Sequence, residues 1–177
     1  METTEKIVES YCRYVKQWFT IPNIKCKGQY EIDLLAVDMT EPIGRYHIEC
    51  GVSISGSYSK LTANEFSTEK LKQRVGAAGQ RRTLRFFIER KFKIREVEEE
   101  LEKYGFKDDN YNRVIVTWDA TEKARDLAVQ AGIEIWYFPV LLRDIANAHK
   151  EHRTYFIDDT ALTIQLYAMA SEASTDK

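Results

Sequence analysis

One aspartate constrains this chain more than any other residue. Asp33 stands inside the run EIDLLAVD (31–38), with apolar neighbours on both sides. An ionised carboxylate among apolar side chains is costly unless it meets a cation, a metal or hydrogen-bond donors. The run itself suits a largely buried strand. Glu41, Pro42, Ile43 and Gly44 then make a turn, and the β-rich RYHIECGVSI (45–54) comes back after this short connection. The expected unit is an antiparallel hairpin.

That hairpin brings acids together. Glu31 and Asp33 are two apart, so their side chains leave the same face of the strand, and Glu49 sits on the strand expected beside them. Glu9 can reach the same end from an opening amphipathic helix, over about 3–18, marked by Ile7, Tyr11, Tyr14, Val15 and Trp18 with Thr4 as cap. Converging carboxylates are the ligands of a hard cation such as Mg²⁺, or Mn²⁺ in its place. A bare cluster of strand-end acids is equally well explained by solvation, or by an arginine partner for Glu31.

Downstream, the segment from about Asn64 reads as helix broken near Gly76 and Gly79. A second helix, IREVEEELEKYG, closes on Gly105; its run of glutamates is a solvated face. RVIVTW, TEKARDLAVQAG and IEIWYF form a β-α-β unit with two parallel strands, the helix capped by Thr121 and closed by Gly132. Helices over about 139–149 and 158–170 end the fold. One domain over 1–170 with a disordered tail over 171–177 is expected.

The formal charge of −2 conceals a strong asymmetry. Between Lys70 and Arg95 ten cations stand against Glu89 alone, a local charge of +9, so the remainder carries −11. Such a stripe is what phosphate binding requires, which nominates Lys70, Lys72, Arg74, Arg81, Arg82 and Arg85 as nucleic-acid contacts. Trp118, Trp136, Tyr137 and Phe138 are read as core and interface residues rather than base-stacking platforms. Cys12, Cys26 and Cys50 form no CxxC pair, and His47, His149 and His152 are too scattered for a zinc centre. With no apolar run of membrane-spanning length and no secretory signal pattern, a cytoplasmic protein with no membrane partner is expected.

The segments GQYEIDLLAVD and YHIECGVS resemble the signature of the PD-(D/E)xK superfamily, the restriction-endonuclease-like nucleases that include Holliday-junction resolvases, Mrr-type restriction enzymes and repair nucleases. In that pattern an aspartate is followed, one hairpin later, by an acid, any residue and a lysine. Asp33 matches the aspartate, Glu49 the acid and Cys50 the free position, while Glu9 matches a helix-borne glutamate and Glu31 an acid preceding the aspartate. The resemblance covers the order helix, three strands, helix, strand, helix, strand. It implies an α/β, restriction-endonuclease-like three-layer fold with a central mixed β-sheet flanked by helices.

The departure is Gly51, which stands where the superfamily has its lysine. Three explanations compete. The lysine has moved, with Lys60, or Lys70, Lys72 or Gln73 on the following helix, reaching the site; or metal and phosphate suffice for slow cleavage; or the fold is a non-catalytic binding module. Ser53 and Ser55 are weaker candidates for phosphate contact.

The leading expectation is a Mg²⁺- or Mn²⁺-dependent nuclease acting on DNA, with Asp33, Glu49, Lys60 and Lys72 catalytic and Asp33, Glu49, Glu9 and Glu31 as metal ligands. The alternative is a catalytically silent member of the fold, binding DNA or serving as an assembly subunit in a restriction, repair or defence complex. The sequence does not fix the oligomeric state; family analogy alone allows a homodimer or a larger complex.

Overall fold

The computed structural model describes residues 2–52, 60–107, 110–151 and 158–175. Ser53, Ser55 and His152 lie outside them. The opening helix α1 (Thr3–Ser10) runs into a π-helical turn, Tyr11–Val15. Its cap is Glu2 rather than Thr4: the Glu5 carboxylate takes the Glu2 N–H at 2.9 Å, which satisfies a donor that the helix leaves open.

A strand that sequence marked only by its proline follows. β1 (Phe19–Lys25) pairs antiparallel with β2 (Glu31–Asp38), Pro22 opposite Leu34. It lies at the sheet edge, where a residue without an N–H is tolerated. β2 and β3 (Gly44–Cys50) form the expected antiparallel hairpin. β5 (Asn112–Thr117) then pairs parallel with both β3 and β7 (Ile133–Tyr137), giving a mixed five-stranded sheet in the order β1-β2-β3-β5-β7. Short strands β4 (Lys60–Leu61) and β6 (Asp119–Ala120) pair separately.

Both faces of the sheet are covered. Leu34, Ala36, Ile48, Val114 and Val116 pack against Val8, Tyr11 and Cys12 at the N-terminal end and against Leu141 and Ile145 of α7 (Phe138–Glu151). On the other face Leu35 meets Val97 and Leu101 of α5 (Arg95–Lys103), and Ile115 meets Phe87, Phe92 and Ala124. Each fully buried aliphatic or aromatic side chain contributes about 1.5–3 kcal/mol, and the alternation along β2, with Leu34 and Ala36 on one face and Leu35 on the other, is what commits the sheet to helices on both sides. Ala124 and Ala128 are the inward positions of α6 (Glu122–Gln130), capped by Thr121, whose hydroxyl accepts from the Ala124 N–H at 3.3 Å.

The basic segment is not one helix. It divides into α2 (Thr68–Lys72), α3 (Ala77–Gln80) and α4 (Leu84–Phe87), with left-handed Arg74 and Gly76 between the first two; Gly79 lies inside α3. α4 continues as a second π-helical turn, Ile88–Phe92, closed by the Lys93 N–H on the Ile88 carbonyl at 2.9 Å. The last helix, α8 (Asp159–Thr175), extends past Ala170 into the stretch expected to be disordered. Among the described residues no helix is long and apolar enough to cross a membrane.

Candidate active site

The start of β2 and the end of β3 are neighbours because the hairpin is antiparallel. One step beyond the ladder pair Leu34 and Ile48, Asp33 faces Glu49 across the strands. The Asp33 N–H lies 3.4 Å from Glu49 Oε1, and Asp33 Oδ2 accepts the Cys50 N–H at 2.8 Å. The two acids expected to converge do so.

What joins them is Lys91. Its Nζ is 2.9 Å from Asp33 Oδ1, 2.6 Å from Glu49 Oε2, and 3.3 Å from the Glu31 carbonyl. The lysine comes from the π-helical turn after α4, and such insertions re-aim side chains and recur at functional sites. The same turn seats Phe92, fully buried, edge-on to the His47 ring at 4.9 Å.

Position 51 cannot supply this ammonium. A Cβ there would lie 2.7 Å from Phe87 Cζ and 3.3 Å from the Val116 carbonyl. Glycine lets α4 approach the sheet, and that approach delivers Lys91 one turn later.

Behind the lysine, Glu49 is completely buried, and its Oε1 is 2.8 Å from His47 Nε2, also completely buried. Burial holds the His47 pKa down at about 3, against a smaller pull from Asp33, so the ring is neutral and Nε2–H donates to Glu49. Nδ1 finds no partner among the described residues. Burial, reinforced by the Glu49 charge, pushes Asp33 up to about 7, with Lys91 opposing. Burial raises Glu49 as well, against the pull of Lys91. For Lys91 itself, burial acts downward, but the Glu49 and Asp33 charges together outweigh it and leave the ammonium above its ordinary range.

With every group ionised the trio carries one net negative charge, and it opens onto a second acidic set. One carboxylate oxygen from each of Glu5, Glu31 and Asp33 lies within 4.8 Å of the others. Burial raises Glu5, and the Asp33 and Glu31 charges add to this against its bond from the Glu2 N–H. Hard oxygen donors crowded with like charge fit a hard divalent cation.

Several nominated residues are elsewhere. Glu9 accepts from Thr20 Oγ1 at 3.0 Å and lies 3.8 Å from Arg13, so Glu5, one turn earlier, is the helix-borne acid at the cluster. Glu49 faces inward, fully buried, and is not among the three carboxylates that cluster, Glu5, Glu31 and Asp33. Lys60 pairs with Asp119 at 2.8 Å on the small sheet. Lys72 is exposed on α2, as is Lys70, and neither they nor Gln73, Arg74 or Arg85 line the cleft over the carboxylates. That cleft, about 560 Å³, is bounded by Asp33, Glu5, Arg81, Arg82, Arg90 and Lys91 among others. Glu31 is bound by Lys25 rather than by an arginine.

Sequence reasoning thus missed Lys91, Glu5, His47 and Arg90. Lys91 stands in the charged run Glu89, Arg90, Lys91 and Lys93, so nothing in its immediate sequence sets it apart from the other cations of the basic segment. No family model matches the chain, and no curated protein matches it. A crystal structure described as that of a protein of unknown function, AF1548, aligns over 98% of this chain and 100% of its own at 16% identity and a TM-score of 0.46, a likeness too loose to carry an argument.

Proposed function

We propose that the chain is a metal-dependent phosphodiesterase of the restriction-endonuclease-like kind, acting on nucleic acid, in which Lys91 takes the part of the lysine absent at position 51. The observation that carries this reading is the single ammonium within 2.9 Å of Asp33 and 2.6 Å of Glu49. Two acids from a β-hairpin and one lysine are the trio that the sequence signature calls for, assembled from three elements.

Mg²⁺ or Mn²⁺ would be held by Asp33 with Glu5 and Glu31, and when bound it supplies an activated water and stabilises charge on a scissile phosphate. Lys91 stays protonated at neutral pH, so it is a donor and not a base. Its part is to orient an oxygen at the cleft floor and to stabilise charge developing there. Glu49, fixed by His47, holds the ammonium at that place. Arg81 and Arg82 on the cleft wall hold neighbouring phosphates without reading sequence.

A second reading has its own support. Glu49 is wholly enclosed, and Lys91 offsets much of the carboxylate charge, as in a structural ion-pair network of a silent binding module. Labelled DNA and RNA incubated with Mg²⁺ or Mn²⁺ decide between them. Cleavage that needs metal and disappears in Asp33→Ala supports the enzyme; salt-sensitive binding with no cleavage supports the silent module. Cleavage that survives Asp33→Ala removes this site from the account.

A further inference from the structure

The cleft also bears on what kind of polynucleotide enters it. Three guanidiniums, Arg81, Arg82 and Arg90, share its walls with Asp33, yet none makes an ion pair among the described residues. Arg82 is half-buried, and keeping a desolvated guanidinium without an anion is costly. A ligand with several negative charges answers that cost.

Aromatic surface lies between these cations. Tyr30, just before β2, and Phe86, on α4, both line the cleft and are partly exposed. The Arg90 guanidinium stands over the Tyr30 ring at 4.9 Å, and Phe86 sits edge-on to Phe66 at 5.6 Å and Phe87 at 5.5 Å. A cationic groove interleaved with rings binds unpaired strands, because backbone phosphates take the charges while every base offers a face for stacking. A paired base offers none, since its faces are already covered by its neighbours.

Size argues the same way. The open cleft offers about 560 Å³, the scale of pockets that hold a small-molecule ligand, roughly 300–1,000 Å³. Asp33, the acid that a scissile phosphate has to reach, is only 6% exposed at its floor. An unpaired strand, free to bend, can carry a phosphate to that depth.

We infer that the cleft takes a single-stranded polynucleotide, or the unpaired end of one, with Arg81, Arg82 and Arg90 on its phosphates and Phe86 and Tyr30 stacking its bases. This deepens the proposed nuclease reading and is tested apart from it. Fluorescence anisotropy in EDTA, where cleavage is blocked, compares one labelled sequence as single-stranded DNA, single-stranded RNA and blunt DNA duplex. Both single strands, or one of them, bind at least about tenfold tighter than the duplex, and the difference between the DNA and RNA arms identifies the sugar.

Phe86→Leu keeps apolar bulk without a ring, and Tyr30→Leu does the same at the other wall. Each weakens single-strand binding about fivefold or more, measured at a temperature where circular dichroism shows the variant folded. Arg82→Gln lowers the slope of log affinity against log salt by about one. Duplex bound as tightly as the single strands, unaltered affinity in both leucine variants, or binding to none of the three probes overturns the inference. Cleavage without single-strand preference leaves the nuclease reading standing alone; single-strand preference without cleavage leaves only this one.

Discussion

Gly51 and Phe87 are in such close contact that a Cβ on the glycine would come within 2.7 Å of the ring. The contact ties glycine at position 51 to the packing of α4. With α4 pressed onto the end of β3, a side chain at 51 has no room, and the turn that follows the helix carries Lys91 to the acids.

Substituting position 51 therefore destabilises and does not restore a lysine. Gly51→Ala lowers stability by about 1–3 kcal/mol through overpacking, measured by urea unfolding. Gly51→Lys combined with Lys91→Met gives no more cleavage than Lys91→Met alone.

His47 acts through Glu49. Leucine at 47 leaves a buried carboxylate oxygen without its donor and lowers stability by about 1–3 kcal/mol, whereas His47→Gln, which can again present an N–H, recovers most of the loss. Thermal unfolding of the two variants side by side checks this order.

Asp33 makes the apo protein sensitive to pH. Its pKa rises from 3.8 to about 7 on folding, so its contribution to stability is complete below about pH 4 and is lost as pH climbs through 7. His47, lowered from 6.5 to about 3, contributes in the opposite sense and is lost as pH falls through that window. The difference between Asp33→Asn and the unaltered protein isolates the first effect. The variant melts higher at about pH 8, and the gain vanishes near pH 5. Mn²⁺ affinity of the unaltered protein, followed by calorimetry, falls as pH drops below about 7, since the ligand must give up its proton.

Glu5 and Glu9 separate the two candidate helix acids. Glu5→Gln weakens Mn²⁺ binding by about tenfold or more, and Glu9→Gln leaves it unchanged. Equal effects would contradict the ligand set Glu5, Glu31 and Asp33.

Much of this was legible before any coordinates. The hairpin, the parallel β5-β7 pair, and the meeting of Asp33 with Glu49 follow from period-two alternation and from an acid that apolar neighbours would not leave unpartnered. Lys91 was hidden because a π-helical turn shifts which side chain faces the sheet, and that shift answers to tertiary packing around Gly51. Glu5 and Glu9 are four apart on one helical face, so periodicity cannot say which end of α1 abuts the sheet. β1 escaped because Phe19 and Ile21 are exposed on an edge strand that also carries Pro22, and Ile24 is its one buried residue.

The relocated lysine is tested most directly by cleavage of labelled single-stranded DNA with Mn²⁺, comparing the unaltered protein with Lys91→Met. Because that change strands the buried Glu49 charge, Lys91→Met with Glu49→Gln is measured beside it, both at a temperature where circular dichroism shows them folded. The account predicts metal-dependent cleavage that falls by about 100-fold or more in both variants, while Lys60→Met keeps full activity. Cleavage undiminished without Lys91, or lost instead with Lys60, would contradict it.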